Sequence, residues 1–348
     1  MEAARKITSL PQEILEILFD TLDYDDRLSL AQSNLYLGDS FASFCERELK
    51  YLELGGCEAE NDYLTRVLPI CGSAVQCITG ENSGYPMLEI IERYCTNVVE
   101  VRLVVNSLWP FYFIPNMKSL TTVELMLDQL YEDDSLYPAL QELPHLTDLH
   151  FHDFSEKNVH KVRYLVNLER LVLQRGRKEC PVDIIQIFNS LKKLLHLFLE
   201  CDEISCKTSS QKSTYSALKK LELIVDKVPN LPIFPNLRYM YALSDKNFNW
   251  NKWIISHAET VKILYIHDNS RLLEALERCK VLRDLGVFVK SSKISEEHLN
   301  LLIDFGRRSV SSLSFAVKND EEYKVIKKRL EGLPYSAICK VHVEHTCP

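Results

Sequence analysis

A short apolar frame returns at a nearly constant spacing along most of the chain, and it constrains the fold more than any other feature. Leu168-Glu169-Arg170-Leu171-Val172-Leu173 shows the frame best, with apolar residues at its first, fourth and sixth places. The alternation at its end predicts a short strand, because residues two apart lie on one face of a strand. Thirteen such frames begin at Leu49, Val75, Val98, Leu120, Leu146, Leu168, Leu194, Leu218, Leu237, Val261, Leu282, Val310 and Ile338. Because one short strand cannot bury its apolar face alone, the repetition predicts stacked units.

The frames begin 19 to 28 residues apart, and their mean spacing of about 24 residues is typical of leucine-rich repeats. In such repeats an Asn or Cys at the ninth place satisfies backbone groups where the chain leaves the strand. Here the ninth places include Cys57, Asn106, Asp128, Asp202, Asp226, Asp245 and Asn269. The chain therefore resembles a degenerate leucine-rich-repeat protein, and the alternative is a set of unrelated amphipathic strands. The resemblance implies an α/β solenoid shaped as a horseshoe, with a parallel inner β-sheet and a mixed helical and irregular convex side.

The connections between frames are predicted to differ. Helices are expected at 181–191, at 88–95 and from Ser295 to a C-cap at Gly306, because apolar residues there recur at helical spacing. The unit that begins at Leu218 is the shortest and contains three prolines, which excludes a helix in its connection.

Composition excludes several classes of function. The net charge is −8 and the sequence pI is about 5.8, whereas nucleic-acid binding requires basic surface. No apolar run approaches the length of a membrane span, and no signal-peptide pattern opens the chain. The 11 cysteines include no C-x-x-C pair. We therefore expect a protein of a reducing compartment, cytoplasmic and/or nuclear, with neither a nucleic acid nor a membrane as partner.

Residues before Leu49 do not carry the frame and are predicted to form three helices. Ser9-Leu10-Pro11-Gln12 has capping-box spacing and predicts Ser9 as the N-cap of the first helix. Asp25-Asp26 is expected to start the second helix. The third is expected after a turn at Gly38-Asp39-Ser40. The first helix carries apolar residues on more than one side, which indicates one face for the core and another for a second contact.

Leu10-Pro11-Gln12-Glu13-Ile14-Leu15-Glu16-Ile17-Leu18-Phe19-Asp20-Thr21-Leu22 resembles the F-box signature L-P-x-E-[IL]-L-x-x-[IL]-F-x-x-L. Asp25 and the run Leu28-Ser29-Leu30-Ala31 match its second part, whereas the run from Gln32 to Tyr36 departs from it. The resemblance implies docking on the Skp-type adaptor of a cullin scaffold, through Leu10, Pro11, Ile14, Leu15, Leu18, Phe19 and Leu22. The alternative is an N-terminal cap that covers the first repeat.

Motif searches give little support for an enzyme. No phosphate-binding, dinucleotide-binding, zinc-protease or nucleophile-elbow motif occurs. His150 and His152 share a strand face, but no nucleophile accompanies them in the sequence. Cys339, His342, His345 and Cys347 form the one cluster with ligand-type residues, and we interpret them as terminal-strand residues because neighbours in a strand do not share a face. We expect no catalytic residue, no metal and no cofactor.

Third, fifth and seventh places of the frames lie on the strand face opposite the core. Three successive frames concentrate aromatic residues there, and aromatic side chains with a polar group are enriched in protein interfaces. The predicted substrate-binding residues are Tyr239, Tyr241, Tyr265, His267 and Phe288, flanked by Glu222 and Asp284. Such residues favour a partner segment that carries Lys or Arg. The alternative is that the rings only pack on one another across the sheet.

These observations predict an F-box domain at 1–48 and a leucine-rich-repeat domain of about thirteen repeats at 49–348. The resemblance implies a non-catalytic substrate-recognition adaptor of a Skp–cullin–F-box ubiquitin ligase, whose unknown protein substrate is ubiquitinated and degraded by the proteasome. The alternative is an F-box scaffold that is not coupled to ubiquitin transfer.

Overall fold

The computed structural model describes residues 7–54, 58–81, 85–105, 113–127, 135–174, 181–206, 215–228, 231–244, 250–269, 271–289, 295–317, 320–331 and 339–343. Two compact units divide the chain, Met1–Asp153 and Phe154–Pro348. The expected boundary at residue 49 lies inside the first unit, where the helical segment passes into the first frame, and it stays a prediction.

The first unit begins with helices and continues with one strand per frame. Its helices are α1 (Gln12–Thr21), α2 (Tyr24–Gln32), α3 (Leu35–Glu48), α4 (Glu58–Cys71), α5 (Tyr85–Tyr94) and α6 (Leu136–Gln141). Short 3-10 helices cover Ile7–Ser9, Gly72–Ala74 and Ile114–Asn116. Its strands are β1 (Tyr51–Leu54), β2 (Cys77–Glu81), β3 (Glu100–Val105), β4 (Thr122–Leu127) and β5 (Asp148–His152). Successive strands pair in parallel from β1 to β5.

The second unit repeats this plan. Its helices are α7 (Glu156–Val162), α8 (Ile184–Ser190), α9 (Trp250–Ser256), α10 (Leu272–Leu276), α11 (Glu296–Ser309) and α12 (Asp320–Glu331). Its strands are β6 (Arg170–Gln174), β7 (Val182–Asp183), β8 (His196–Ser205), β9 (Lys220–Lys227), β10 (Tyr239–Leu243), β11 (Ile263–His267), β12 (Asp284–Val289), β13 (Ser312–Val317) and β14 (Cys339–Val343). All except β7 pair in parallel in chain order from β6 to β14, and β7 pairs separately with β8.

Each of the thirteen predicted frames contains one of these parallel strands. In the frame of β6, Leu168, Leu171 and Leu173 are fully buried, as the apolar pattern predicts. Helices connect some strands, and in the described residues between β9 and β10 there is no helix, as the prolines of that connection predict. Parallel strands in chain order, with one strand per repeat of this length, are the leucine-rich-repeat arrangement. The prediction of an α/β repeat fold is confirmed.

Four local predictions are wrong in detail. Helix α1 has Pro11 as its N-cap residue, because Ser9 belongs to the preceding 3-10 helix. Asp23, and not Asp25, is the N-cap of α2, where its side chain accepts a hydrogen bond from the Asp26 amide.

The other two wrong predictions each concern a glycine that packs inside a helix. Helix α3 begins at Leu35 with Asn34 as its cap, so Gly38 is not in a turn. Helix α11 continues past Gly306 to Ser309. A Cβ at Gly306 would lie 2.5 Å from Cδ2 of Leu313, so this glycine permits close packing of the helix on β13 and does not cap it.

The three N-terminal helices share an aromatic core and contact the first repeat through α4. Phe19 lies with its ring centroid 5.1 Å from that of Phe41, and both side chains are fully buried. The Tyr24 ring of α2 stacks on Tyr63 of α4 at 4.2 Å. The helices and the first repeat therefore pack directly on one another in the first unit.

Candidate functional site

Ring contacts join the predicted aromatic residues across three neighbouring strands of the second unit. The strand register places Tyr241 beside Tyr265 and His267 beside Phe288. Ring centroids lie 6.0 Å apart for Tyr239 and Tyr265, 6.1 Å for Tyr241 and Tyr265, 5.4 Å for Tyr241 and Phe288, and 5.7 Å for His267 and Phe288. The five residues form one cluster, which we call the aromatic surface.

Most of the aromatic surface is partly open to solvent, but one member is not. Tyr239, Tyr241, Tyr265 and His267 are half-buried, whereas Phe288 is only 5% exposed. Phe288 was predicted on the open face, and Tyr241 and His267 cover it there. The rings therefore do pack across the sheet, and the accessible part of the surface is formed by the tyrosines and His267.

Gly286 makes room for the central ring of this surface. It pairs with Tyr265 in the β11–β12 register, and a Cβ built on Gly286 would lie 2.1 Å from Cδ1 of Tyr265. The Tyr265 ring therefore lies over the Gly286 backbone, between the side chains of Asp284 and Phe288 on the same strand. The sequence prediction missed Gly286, although a glycine inside a strand often marks a close approach of another group.

Glu222, predicted as part of an acidic rim, is held by a network within the protein. Its carboxylate lies 2.6 Å from Nε2 of His196 and 2.8 Å from Nζ of Lys220. Nε of Arg170 donates to Nδ1 of His196 at 3.0 Å, so the proton of neutral His196 lies on Nε2 and is donated to Glu222. Burial alone would raise the pKa of Glu222, but the hydrogen bonds from His196 and Lys220 outweigh it, and the net shift lowers that pKa.

Tyr239 is engaged by the same network. Nζ of Lys220 lies 4.7 Å from the centroid of the Tyr239 ring, which is a cation–π distance. Burial raises the pKa of Tyr239, with smaller contributions from Glu222 and Tyr265. The structure thus separates the predicted substrate-binding residues into two groups. Tyr239 and Glu222 contact a lysine of the chain itself, whereas neither Tyr265 nor Asp284 has a cation–π contact or ion pair with a lysine or arginine among the described residues.

The predicted adaptor-binding residues divide between the core and the surface of the helical segment. Leu15 and Phe19 are fully buried. Ile14 is 46% exposed, Pro11 is exposed, and Leu10, Leu18 and Leu22 are half-buried. Ile14 and Leu18 lie on one face of α1, since residues four apart are neighbours on a helix, and Leu10 directly precedes the N-cap Pro11. Leu15 and Phe19 therefore support this face from beneath.

Sequence reasoning missed two further apolar residues beside that face. Leu35, at the start of α3, is 89% exposed, and the adjacent Tyr36 is 41% exposed. The Tyr36 hydroxyl donates a hydrogen bond to the Leu10 carbonyl at 2.9 Å, which places the start of α3 beside the start of α1. We call the set Leu10, Pro11, Ile14, Leu18, Leu35 and Tyr36 the apolar patch. The signal was present as two large apolar residues directly after the cap residue Asn34.

On the sheet face of the first unit, acids and histidines pair with one another. His152 lies 3.0 Å from Glu124, and His150 lies 2.8 Å from Asp148. Arg102 contacts Glu100 at 2.6 Å and Glu124 at 3.6 Å. This arrangement is a set of contacts between acidic side chains, histidines and Arg102 on a sheet surface.

Histidine, cysteine and acidic side chains are the residue types that could bind a metal ion or carry out thiol chemistry. No group of three or more His, Cys, Asp or Glu residues within the described ranges is arranged to hold a metal ion. Of the cluster noted in the sequence, Cys339 and His342 lie on β14, and His345 and Cys347 lie outside the described residues. Burial raises the pKa of Cys279 to about 11 and is the largest cause that raises the pKa of Cys95 to about 12. Both thiols are protonated at neutral pH and are poor nucleophiles.

Across the described part of the chain, no helix combines the length and apolar character that a membrane crossing requires.

Comparison with known proteins adds only distant structural similarities. No protein-family model matches the sequence, and no curated protein matches it. An internalin (inlF) from Listeria monocytogenes is 12% identical, with 98% of this chain and 100% of that chain covered and a TM-score of 0.43. A leucine-rich-repeat protein from Leptospira interrogans is 13% identical, with 81% of this chain and 92% of that chain covered and a TM-score of 0.27. These values are too low to bear on function, and the repeat fold is assigned from the strands and their register.

Proposed function

We propose that this protein is the substrate-recognition adaptor of a Skp–cullin–F-box ubiquitin ligase, and that it is not itself a catalyst. The apolar patch binds the Skp-type adaptor, and the repeats hold a protein substrate for ubiquitination and proteasomal degradation. The ligase gains rate from proximity, because a held substrate stays at high effective concentration near the transferred ubiquitin. Such a complex acts in the cytoplasm and/or the nucleus.

The apolar patch is the observation that carries the proposal. Single exposed apolar residues are common on protein surfaces, but contiguous apolar groups mark interaction sites. Here the group lies on the segment whose sequence resembles an F-box, and Leu35, at 89% exposure, is the most exposed large apolar residue of the described chain. A helical cap for the first repeat needs its inner face buried, which α1 achieves with Leu15 and Phe19. A cap gives no reason for the outer apolar face.

The test is capture of the Skp adaptor by the purified full-length chain. A double variant, Ile14→Ala with Leu35→Ala, is expected to reduce adaptor binding at least about tenfold, since apolar anchors at the centre of an interface each contribute a few kcal/mol. Both side chains are exposed in the free protein, so the free energy of unfolding is expected to change by less than about 0.5 kcal/mol per site.

A matched control uses two exposed isoleucines outside the patch, Ile233 at 56% exposure and Ile255 at 45%. Ile233→Ala with Ile255→Ala is expected to leave adaptor binding unchanged. Equal adaptor binding by the parent and by the Ile14/Leu35 variant would refute the F-box assignment and leave the cap.

The alternative is an F-box scaffold that binds the adaptor without directing degradation. Affinity purification from cells with and without proteasome inhibition separates the two functions. A receptor is expected to co-purify with a cullin and with a client that accumulates under inhibition. A scaffold co-purifies with the adaptor, but its other partners do not change in amount.

A further inference from the structure

Lys220 shows how this sheet face holds a cation. Its ammonium nitrogen lies 4.7 Å from the centroid of the Tyr239 ring and 2.8 Å from the Glu222 carboxylate. Tyr239 and Glu222 stand on adjacent strands, two places out of register with each other, because Tyr239 pairs with Lys220. A tyrosine ring and a carboxylate on diagonal places of neighbouring strands therefore form a two-sided site for a positive charge.

A second tyrosine and carboxylate stand on diagonal places of neighbouring strands, β11 and β12, but in the opposite sense. Glu222 is on the strand before Tyr239 and two places after register, whereas Asp284 is on the strand after Tyr265 and two places before register. Tyr265 on β11 is in register with Gly286 on β12, so Asp284 stands two places from register with Tyr265. The Asp284 carboxylate makes no hydrogen bond or ion pair with any side chain in the described part of the protein, and it is half-buried. Lys220 is the residue in register with Tyr239, whereas the residue in register with Tyr265 is Gly286, which has no side chain.

Gly286 also leaves the space in which the Tyr265 ring lies. The Tyr265 ring lies over the Gly286 backbone, and Tyr239 and Tyr241 contact it from the β10 side at 6.0 and 6.1 Å. The position of the ring is thus set by neighbouring groups before any partner binds, which reduces the conformational entropy lost on binding.

We propose that Tyr265 and Asp284 bind an arginine side chain from an extended segment of a partner protein. The guanidinium stacks on the Tyr265 ring and pairs with the Asp284 carboxylate, and its planar shape suits both contacts better than an ammonium group does. Tyr241 and His267 line the path of the segment on the same face. The net charge of −8 favours the approach of a basic partner. The identification of this segment with the substrate rests on the proposed function, whereas the binding of arginine does not.

The experiment uses the full-length chain with 3-fluorotyrosine in place of tyrosine and follows the fluorine NMR signal of Tyr265, which the Tyr265→Phe variant assigns. The probe is a capped pentapeptide, Gly-Ser-Arg-Ser-Gly, and its twin carries citrulline, which keeps the shape of arginine without the charge. The arginine peptide is expected to shift the Tyr265 signal saturably. The citrulline peptide is expected to bind at least about tenfold more weakly, because it loses both the cation–π contact and the ion pair.

Asp284→Asn tests the carboxylate without changing the shape of the side chain. It is expected to weaken binding of the arginine peptide about five- to tenfold, with an unchanged unfolding midpoint because the Asp284 carboxylate has no partner among the described residues. The matched control is Glu200→Gln, a half-buried carboxylate on the same face of β8, three strands from Tyr265. This variant is expected to bind as the parent does.

Equal binding of the arginine and citrulline peptides, or no shift of the Tyr265 signal at millimolar peptide, would overturn the arginine site. Equal effects of Asp284→Asn and Glu200→Gln on peptide binding would show that the peptide is held only by nonspecific charge attraction, and this result would also overturn the arginine site. None of these results depends on the Skp adaptor. An intact adaptor capture with a failed peptide titration therefore rejects the arginine site alone.

Discussion

Replacing Gly286 by alanine tests whether the position of the Tyr265 ring depends on the glycine. The added Cβ would lie 2.1 Å from Cδ1, 2.5 Å from Cε1 and 3.0 Å from Cγ of Tyr265. Favourable carbon contacts are about 3.5–4.0 Å, so the ring must move by more than about 1 Å or change rotamer.

The loss in the free energy of unfolding follows from the overpacking and from the ring contacts that Tyr265 then loses. Overpacking of this kind costs about 1–3 kcal/mol, and the contacts of Tyr265 with Tyr239 and Tyr241 contribute about 0.5–1.5 kcal/mol each. Alanine in a strand is favoured over glycine by about 0.5–1 kcal/mol, which offsets part of the loss. Gly286→Ala is therefore expected to reduce the free energy of unfolding by about 1–2 kcal/mol.

A double-mutant cycle separates this effect from the general effect of the substitution. When Tyr265 is already alanine the clash is absent, so Gly286→Ala is expected to be neutral or to stabilise by about 0.5–1 kcal/mol. Urea denaturation of the parent, the two single variants and the double variant gives the coupling energy, expected at about 1.5–3 kcal/mol. Additive effects within about 0.5 kcal/mol would refute the packing of Tyr265 on Gly286.

Two further predictions concern stability. His257 is buried and accepts a hydrogen bond from the Phe234 amide at Nε2, and burial lowers its pKa from the ordinary 6.5. Its protonation favours the unfolded chain, so the free energy of unfolding is expected to fall as the pH drops below about 6.5. Urea titrations at several pH values measure this loss of stability. The loss is expected to be smaller in His257→Gln and unchanged in the control variant His160→Gln, whose histidine is exposed. The second prediction compares two residues of α4 that contact α2. Tyr63→Ala is expected to lower the free energy of unfolding by about 3 kcal/mol, because Tyr63 is buried against Tyr24. Arg66→Ala is expected to lower it by less than about 1 kcal/mol, because the Arg66–Asp25 ion pair is exposed. Similar losses in calorimetry for the two variants would contradict this ranking.

The apolar frame carried enough information to predict one strand in each of the thirteen frames, but not the short strand β7. Places one, four and six are buried in most of the described units because a parallel strand with a covered inner face requires them there, as at Leu168, Leu171 and Leu173, although Leu49, Gly80 and Val310 are only half-buried. Helix ends were less predictable. Gly38 and Gly306 resemble helix terminators in the sequence, but both lie inside helices, and at Gly306 the reason is a close contact with Leu313 from a distant part of the chain.

For the candidate site residues, the sequence predicted the face of the strand or helix on which they lie but not their contacts. The frame correctly placed Tyr241 and Tyr265 on the open face, but it gave no information on how far Tyr241 and His267 would cover Phe288. In α1, helical periodicity identified two apolar faces without showing which one faces inward. The burial of Leu15 and Phe19 decides this, and it depends on the position of α3, whose own start was predicted too late in the sequence.

The difference in pairing between Glu222 and Asp284 could have been predicted from the sequence. Both were predicted as equivalent acids beside the aromatic rings, yet one is paired twice and the other makes no pair in the described chain. Residues two apart on a strand share a face, so Lys220 was bound to stand beside Glu222. Two places after Asp284 the same face carries Gly286, which provides no charge and leaves space for the Tyr265 ring. The difference between an internal ion pair and a carboxylate available to a partner thus follows from the second neighbours along each strand.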